Sequence, residues 1–111
     1  MKSLKFKDHL VQQILTGTKT VTWRLFDDKY LQAGDKLELI NSDTGEKFAD
    51  AEITDVREKQ LGKIDDSDFD GREKYKTQEE MLRHYKEYYG DKVALDTMVK
   101  IIAFKVDGNK S

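Results

Sequence analysis

The chain has 111 residues, of which 38% are charged, a formal net charge of −2, and neither cysteine nor proline. That length fits one domain, residues 1–111, with a modest core, and the missing thiols exclude disulfides, thiolate zinc sites and cysteine nucleophiles. Residues 37–70 hold eleven acidic against four basic side chains, so the chain lacks the dominant basic face that long duplexes require, and a small or single-stranded ligand suits it better.

In chain order, Leu4–Phe6 reads as a first strand. Asp8 is a suitable N-cap for a helix over His9–Thr16, where Leu10, Val11, Ile14 and Leu15 recur at helical spacing. Gly17 closes that helix at the position that favours positive φ. Thr20–Leu25 follows as a strand, residues 26–32 as a loop, and Lys36–Ile40 as a strand opened by Gly34-Asp35. Asn41–Glu46 has hairpin-turn composition. Lys47–Lys59 reads as one long strand or two, with Phe48, Ile53 and Val56 as core members. After a charged loop over residues 65–76, Thr77 and Glu80 form a capping-box pattern. The helix it starts runs to about Tyr89 and stops at Gly90. Its stripe of Met81, Leu82, Tyr85, Tyr88 and Tyr89 is expected to be buried as core rather than to form a stacking platform. Met98–Val106, apolar on both faces, is expected to be an interior strand; residues 107–111 are expected to fray, leaving a core of about 3–106. Many strands with two helices and no regular βαβ alternation point to an α+β fold built on a small mixed β-barrel.

No segment approaches the roughly 20 apolar residues of a membrane span, and Met1–Lys7 lacks an apolar stretch of signal-peptide length. A monomeric cytoplasmic protein is expected, without membrane association, cofactor or metal. Asp66-Ser67-Asp68-Phe69-Asp70-Gly71 copies the first half of a calcium loop. Its twelfth position is Thr77 where a bidentate Glu is required, so an acidic, solvated loop is the better reading. His9 and His84 have no metal-ligand spacing and read as surface or helix-packing residues. Trp23 reads as core.

The most informative stretch is Gly17–Arg24. In a strand, side chains alternate between faces, so Val21, Trp23 and Leu25 turned to the core would leave Thr20, Thr22 and Arg24 on the opposite face, with Lys19 at the strand entrance. Any half-buried strand alternates in this way. Here, however, two cations and a hydroxyl converge where an electron-rich ligand could bind.

The order Gly17-x-Lys19-x-x-x-x-Arg24, then Gly34-Asp35, then the strand Ala51–Val56 and the closing strand Val99–Phe104, resembles the ASCH domain family over roughly residues 3–106. The resemblance implies a PUA-like β-barrel with a cleft beside the motif and a role in RNA metabolism. Some small bacterial members are amidohydrolases that deacetylate N4-acetylcytidine with a lysine, a threonine and a glutamate. Their G-x-K-T-x-T-x-R pattern is kept here as Gly17, Lys19, Thr20, Thr22 and Arg24. The glutamate's counterpart is Glu73, with Asp70 as the alternative carboxylate. On this reading Lys19 is the base, Thr22 the nucleophile, Glu73 the acid, and Arg24 an oxyanion or base-edge contact. Gly17, Thr20 and Asp70 complete the binding set. A lysine serves as base only when neutral, the form that burial and a neighbouring cation favour. The resemblance equally fits a non-catalytic RNA-binding module. That module would grip phosphates with Lys2, Lys5, Lys7, Lys19 and Arg24 and hold a splayed base of single-stranded RNA in the cleft. A third reading is a protein-interaction domain with a vestigial cleft.

Overall fold

The computed structural model describes residues 2–26, 29–65, 68 and 75–107. Five strands form one mixed sheet in the order β1-β3-β4-β5-β2. They are β1 (Lys2–Phe6), β2 (Val21–Leu25), β3 (Lys36–Asn41), β4 (Lys47–Gln60) and β5 (Met98–Val106). Helix α1 (Asp8–Leu15) lies between β1 and β2, and α2 (Gln78–Tyr89) precedes β5. β1 runs parallel to β3; the other pairings are antiparallel. The sheet curls into a half-barrel, so the fold is the expected small α+β architecture.

The curl has a local cause. β4 is a single strand of 14 residues, not two, and its register slips against β3 near Phe48 and against β5 at Thr54. Extra residues of this kind bend a strand and increase its twist. β5 is interior and alternates strictly: Val99 and Ile101 pack under α2 with Trp23 and Tyr85, while Ile102 and Phe104 pack on the other face with Leu4, Phe6 and Ile14. Phe48 and Val56 only flank the core; Ala51 and Ile53 fill it.

Two helix starts differ in an instructive way. Thr77 caps α2 as its sequence predicts: its Oγ1 accepts the Glu80 N–H at 3.0 Å. The Glu80 carboxylate reaches back to the Lys76 N–H, also at 3.0 Å. Asp8, by contrast, is the first residue of α1 rather than its cap, and Lys7 occupies the cap position. The capping carboxylate comes from the β3–β4 hairpin, where Asp43 Oδ2 accepts the Asp8 N–H at 2.8 Å. Asp8 Oδ1 in turn accepts from Asn41 Nδ2 at 2.9 Å. Gly17 adopts φ +83° after α1, which an L side chain resists.

β1 and β2, at opposite ends of the strand order, are joined by side chains instead of a backbone ladder. Arg24 Nη2 donates to the Lys5 carbonyl at 2.8 Å, and Lys29 Nζ donates to the Ser3 carbonyl at 2.9 Å. From the other side, Lys2 Nζ donates to the Tyr30 carbonyl at 2.8 Å. The Ser3 and Lys5 carbonyls, two residues apart, point the same way along the β1 edge.

Candidate functional site

A cleft of about 190 Å³ opens beside this seam. Lys19, Thr22 and Arg24 all line it. Lys19 is 4% exposed and Thr22 5%, which sets them among the few buried polar residues described. A buried lysine is costly unless its hydrogen bonds are met. Lys19 Nζ donates to the Val21 carbonyl at 3.0 Å, and the Lys19 N–H donates to the Gln13 carbonyl at 2.9 Å. The turn after α1 thereby holds the residue at the foot of β2. Arg24 is fixed at the other end of the strand by its bond to Lys5, and its guanidinium lies 4.8 Å from the centroid of the Phe6 ring.

The two walls of the cleft differ in chemistry. One is the β1–α1 junction, with Lys5, Lys7 and His9 exposed at its rim. The other is aromatic and comes from α2 and the residue Tyr75 that precedes it. Trp23 stacks on Tyr85 at 6.2 Å and 15°, and Tyr85 on Tyr89 at 6.2 Å and 18°. His84 meets Tyr75, Tyr85 and Tyr88 at 5.4, 5.1 and 6.1 Å. Burial pushes the Tyr89 hydroxyl's titration up, outweighing the Leu25 N–H that faces it at 3.5 Å.

The helix stripe is therefore only partly core. Met81 and Tyr85 are buried, but Tyr88 is 59% exposed at the cleft. The expectation that the whole stripe is core fails because α2 covers the sheet with one turn-to-turn line and leaves the next facing the cleft. His9 and His84 also reach the cleft, a placement that their sequence spacing gave no sign of. Trp23 lines it while packing in the core, because β2 is an edge strand and shows both its faces there.

Thr20 and Gly17 sit elsewhere. β2 begins at Val21, so the strand alternation does not extend back to Thr20. That residue is exposed, its carbonyl accepts the Phe104 N–H at 3.0 Å, and with Gly17 it lines a separate depression that Lys19 also borders. Glu73 and Asp70 lie outside the described residues.

Asp68, the described member of the calcium-like run, is not solvated. Its side chain is fully buried, and it accepts from Arg57 Nη1 at 3.0 Å, Lys59 Nζ at 2.7 Å and the Asp65 N–H at 3.0 Å. Asp68 thus ties the segment after β4 to the basic residues of that strand. Among the described residues, no group of three His, Asp or Glu could hold a metal ion, and no helix is long and apolar enough to cross a membrane.

No protein-family model and no curated protein matches this sequence. Solved structures do match its fold. A DUF984-family protein of Enterococcus faecalis V583 aligns with TM-score 0.74 at 19% identity, covering 93% of this chain and 74% of that one. An ASCH domain from Lactobacillus crispatus aligns with TM-score 0.71 at 18% identity, covering 89% and 70%. The ASCH protein of Zymomonas mobilis aligns with TM-score 0.67 at 9% identity, covering 93% and 65%. The chain has the fold of ASCH domains.

Proposed function

We propose that this chain is an ASCH-domain protein that binds a nucleoside or unstacked RNA base in the cleft beside Lys19 and hydrolyses an amide on it. N4-acetylcytidine is the type substrate. The observation that carries the reading is the burial of a lysine and a threonine, Lys19 and Thr22, in one cleft that also offers Arg24 and a wall of tyrosines. A cleft of about 190 Å³ is smaller than the roughly 300–1,000 Å³ that drug-sized ligands occupy, which suits a single base. Aromatic faces accept any base, and hydrogen-bonding groups at the floor select among them.

The chemistry assigned is acyl transfer to water. The Thr22 hydroxyl attacks the amide carbonyl carbon while Lys19 takes its proton. Arg24 stabilises the oxyanion. The C–N bond then breaks, and the leaving amine takes a proton from the Glu73 carboxylic acid. Water hydrolyses the acyl-threonine, so amide and water become carboxylic acid and amine. The test is mass-spectrometric hydrolysis of N4-acetylcytidine by the wild-type, Lys19→Met and Glu73→Gln proteins. Turnover lost in both folded variants supports the assignment; full activity in Lys19→Met overturns it.

A second reading, a non-catalytic module for single-stranded RNA, is favoured by Tyr88. An exposed ring at the cleft, with His84 against it, offers a stacking surface for a base next to the bound one. Absence of turnover combined with RNA binding that weakens steeply with salt would establish this reading.

A further inference from the structure

We infer that Phe26 is a positioning residue for the aromatic wall of the cleft. It does not line the cleft but borders a neighbouring depression, and it acts on a bound ring through Tyr89. For the ligand this rests on the base-binding reading; for the position of the wall it does not.

The backbone marks Phe26 out. β2 ends at Leu25, and the next residue turns the chain at φ +57°, a region that L side chains resist and glycine enters freely. Gly17, Gly34, Gly45 and Gly90 take positive φ elsewhere; among the described residues, Phe26 and Tyr30 do so without being glycine. At Tyr30 the backbone itself is in use, its carbonyl accepting from Lys2 Nζ. At Phe26 the described contacts belong to the ring. Core formation does not explain that ring, which is 49% exposed. A strained residue persists where its surroundings determine it, and such residues gather at sites.

What the ring touches gives its task. Its edge meets Tyr89 at 5.9 Å and 66°, and Lys92 Nζ lies 4.3 Å from its centroid. Tyr89 stacks on Tyr85, and Tyr85 on Trp23. A run of four rings therefore leaves β2 at Trp23, crosses α2, and returns to the residue just after β2. Tyr89 is the last residue of α2, and Gly90 turns the chain away at φ +95°. Helix ends fray, so a ring in the last turn keeps its place only when something outside the helix holds it. Tyr85 is buried over the sheet, whereas Tyr89 is half-buried. The Leu25 N–H faces the Tyr89 hydroxyl at 3.5 Å, long for a hydrogen bond. Phe26 closes the outer side of Tyr89 and presses it towards Tyr85. Without that ring, Tyr89 can lean outwards, and the stack that continues to Trp23 loosens. A flat ligand then meets a wall that has to be ordered on binding, which lowers affinity.

The experiment compares wild type with Phe26→Ala, Phe26→Gly and Phe26→Tyr. Three quantities are read: the melting temperature by circular dichroism, acrylamide quenching of Trp23 without ligand, and calorimetric titration with cytidine. Trp23 is the chain's single tryptophan and is 4% exposed, so its quenching reports the stack directly. Phe26→Gly is expected to melt above Phe26→Ala, because glycine accepts positive φ where alanine does not. Quenching is nevertheless expected to rise equally in both, and both are expected to bind cytidine about fivefold more weakly, on the scale of one lost aromatic contact. Phe26→Tyr, which keeps the ring, is expected to match wild type in quenching and affinity. A merely structural role would instead make quenching and affinity follow the melting temperatures, with Phe26→Gly nearer to wild type than Phe26→Ala; that pattern overturns the proposal. Quenching unchanged in Phe26→Ala and Phe26→Gly, or quenching raised with cytidine affinity intact, overturns it too. If cytidine binds none of the proteins but quenching rises in Phe26→Ala and Phe26→Gly alone, Phe26 positions the wall and the base reading fails. If cytidine binds none and quenching is unchanged, both fail.

Discussion

Replacing Asp68 by Ala tests whether one buried carboxylate secures the segment between β4 and α2. Its three acceptor bonds, to Arg57, Lys59 and the Asp65 N–H, would be worth about 1.5–3 kcal/mol each if nothing replaced them. Replacements exist. Arg57 is 46% exposed and has Asp55 at 3.5 Å; Lys59 is 29% exposed and has Asp65 at 3.5 Å. With water and second partners taking over most of the cations' needs, the net cost is about 2 kcal/mol. For a domain of this size that lowers the melting temperature by about 10 °C.

The same residue predicts the pH dependence of that loss. Burial pushes the Asp68 carboxyl up, but the Asp65 N–H, Lys59 and Arg57 together outweigh it and hold the carboxyl below its ordinary value. A group whose folded pKa is depressed contributes stability that is complete above its unfolded pKa, about 3.9. The contribution is lost as pH falls through the lower folded value. Scanning calorimetry of wild type and Asp68→Ala should therefore show a constant gap in melting temperature near neutrality, narrowing once the pH drops below about 4. A gap that is absent at pH 7, or that keeps its full width in acid, would refute the clamp.

Arg24→Ala should cost about 1–2 kcal/mol in urea unfolding, from the bond to the Lys5 carbonyl and the contact with Phe6. Arg24→Lys should not restore it, since an ammonium cannot serve both contacts in one plane. Tyr88→Ala, at a ring 59% exposed, should leave the melting temperature nearly unchanged. If the ring stacks a base, it should weaken single-stranded RNA by about 1–3 kcal/mol in a fluorescence titration; unaltered affinity removes Tyr88 from the site. Gly17→Ala should cost about 1–2 kcal/mol in thermal unfolding, all of it from the backbone at φ +83°, because an added Cβ meets no atom within 4 Å. A variant as stable as wild type would show that the turn relaxes.

The sequence is most legible where neighbours in the chain decide the outcome. The Thr77–Glu80 cap, the stop at Gly90, the turn at Gly17 and the two-faced burial of β5 are local matters, and all lie where their residues put them. The features that were not legible depend on residues far apart in sequence. Asp43 caps α1 across 35 positions, which displaces Asp8 from the role its own neighbourhood predicts. Asp68 meets its donors on Arg57 and Lys59 of β4, eleven and nine positions back, and nothing in an acidic run distinguishes a clamp from a solvated loop. The candidate site divides in the same way. Lys19, Thr22 and Arg24 are close in sequence and line one cleft. The opposing wall comes from α2, whose stripe of apolar spacing does not say which turn faces the sheet and which the cleft.

The place of the cleft follows from how the half-barrel ends. A curled sheet of five strands leaves two edges, and bare edges carry unpaired carbonyls that need donors. Here the donors are long cationic side chains: Arg24 and Lys29 reach the β1 carbonyls, and Lys2 reaches the loop after β2. Side chains span a gap that a backbone ladder would have closed, so the seam stays open as a cleft with cationic side chains along it. Arg24 serves both purposes, fastening the seam and lining the cleft. Its replacement should therefore affect stability and ligand affinity together, whereas replacement of Tyr88, exposed at the cleft, should affect affinity alone. That separation links the site to the topology rather than to the motif by itself. If Arg24→Ala weakened the ligand with no loss of stability, the seam would be held by other contacts and the link would fail.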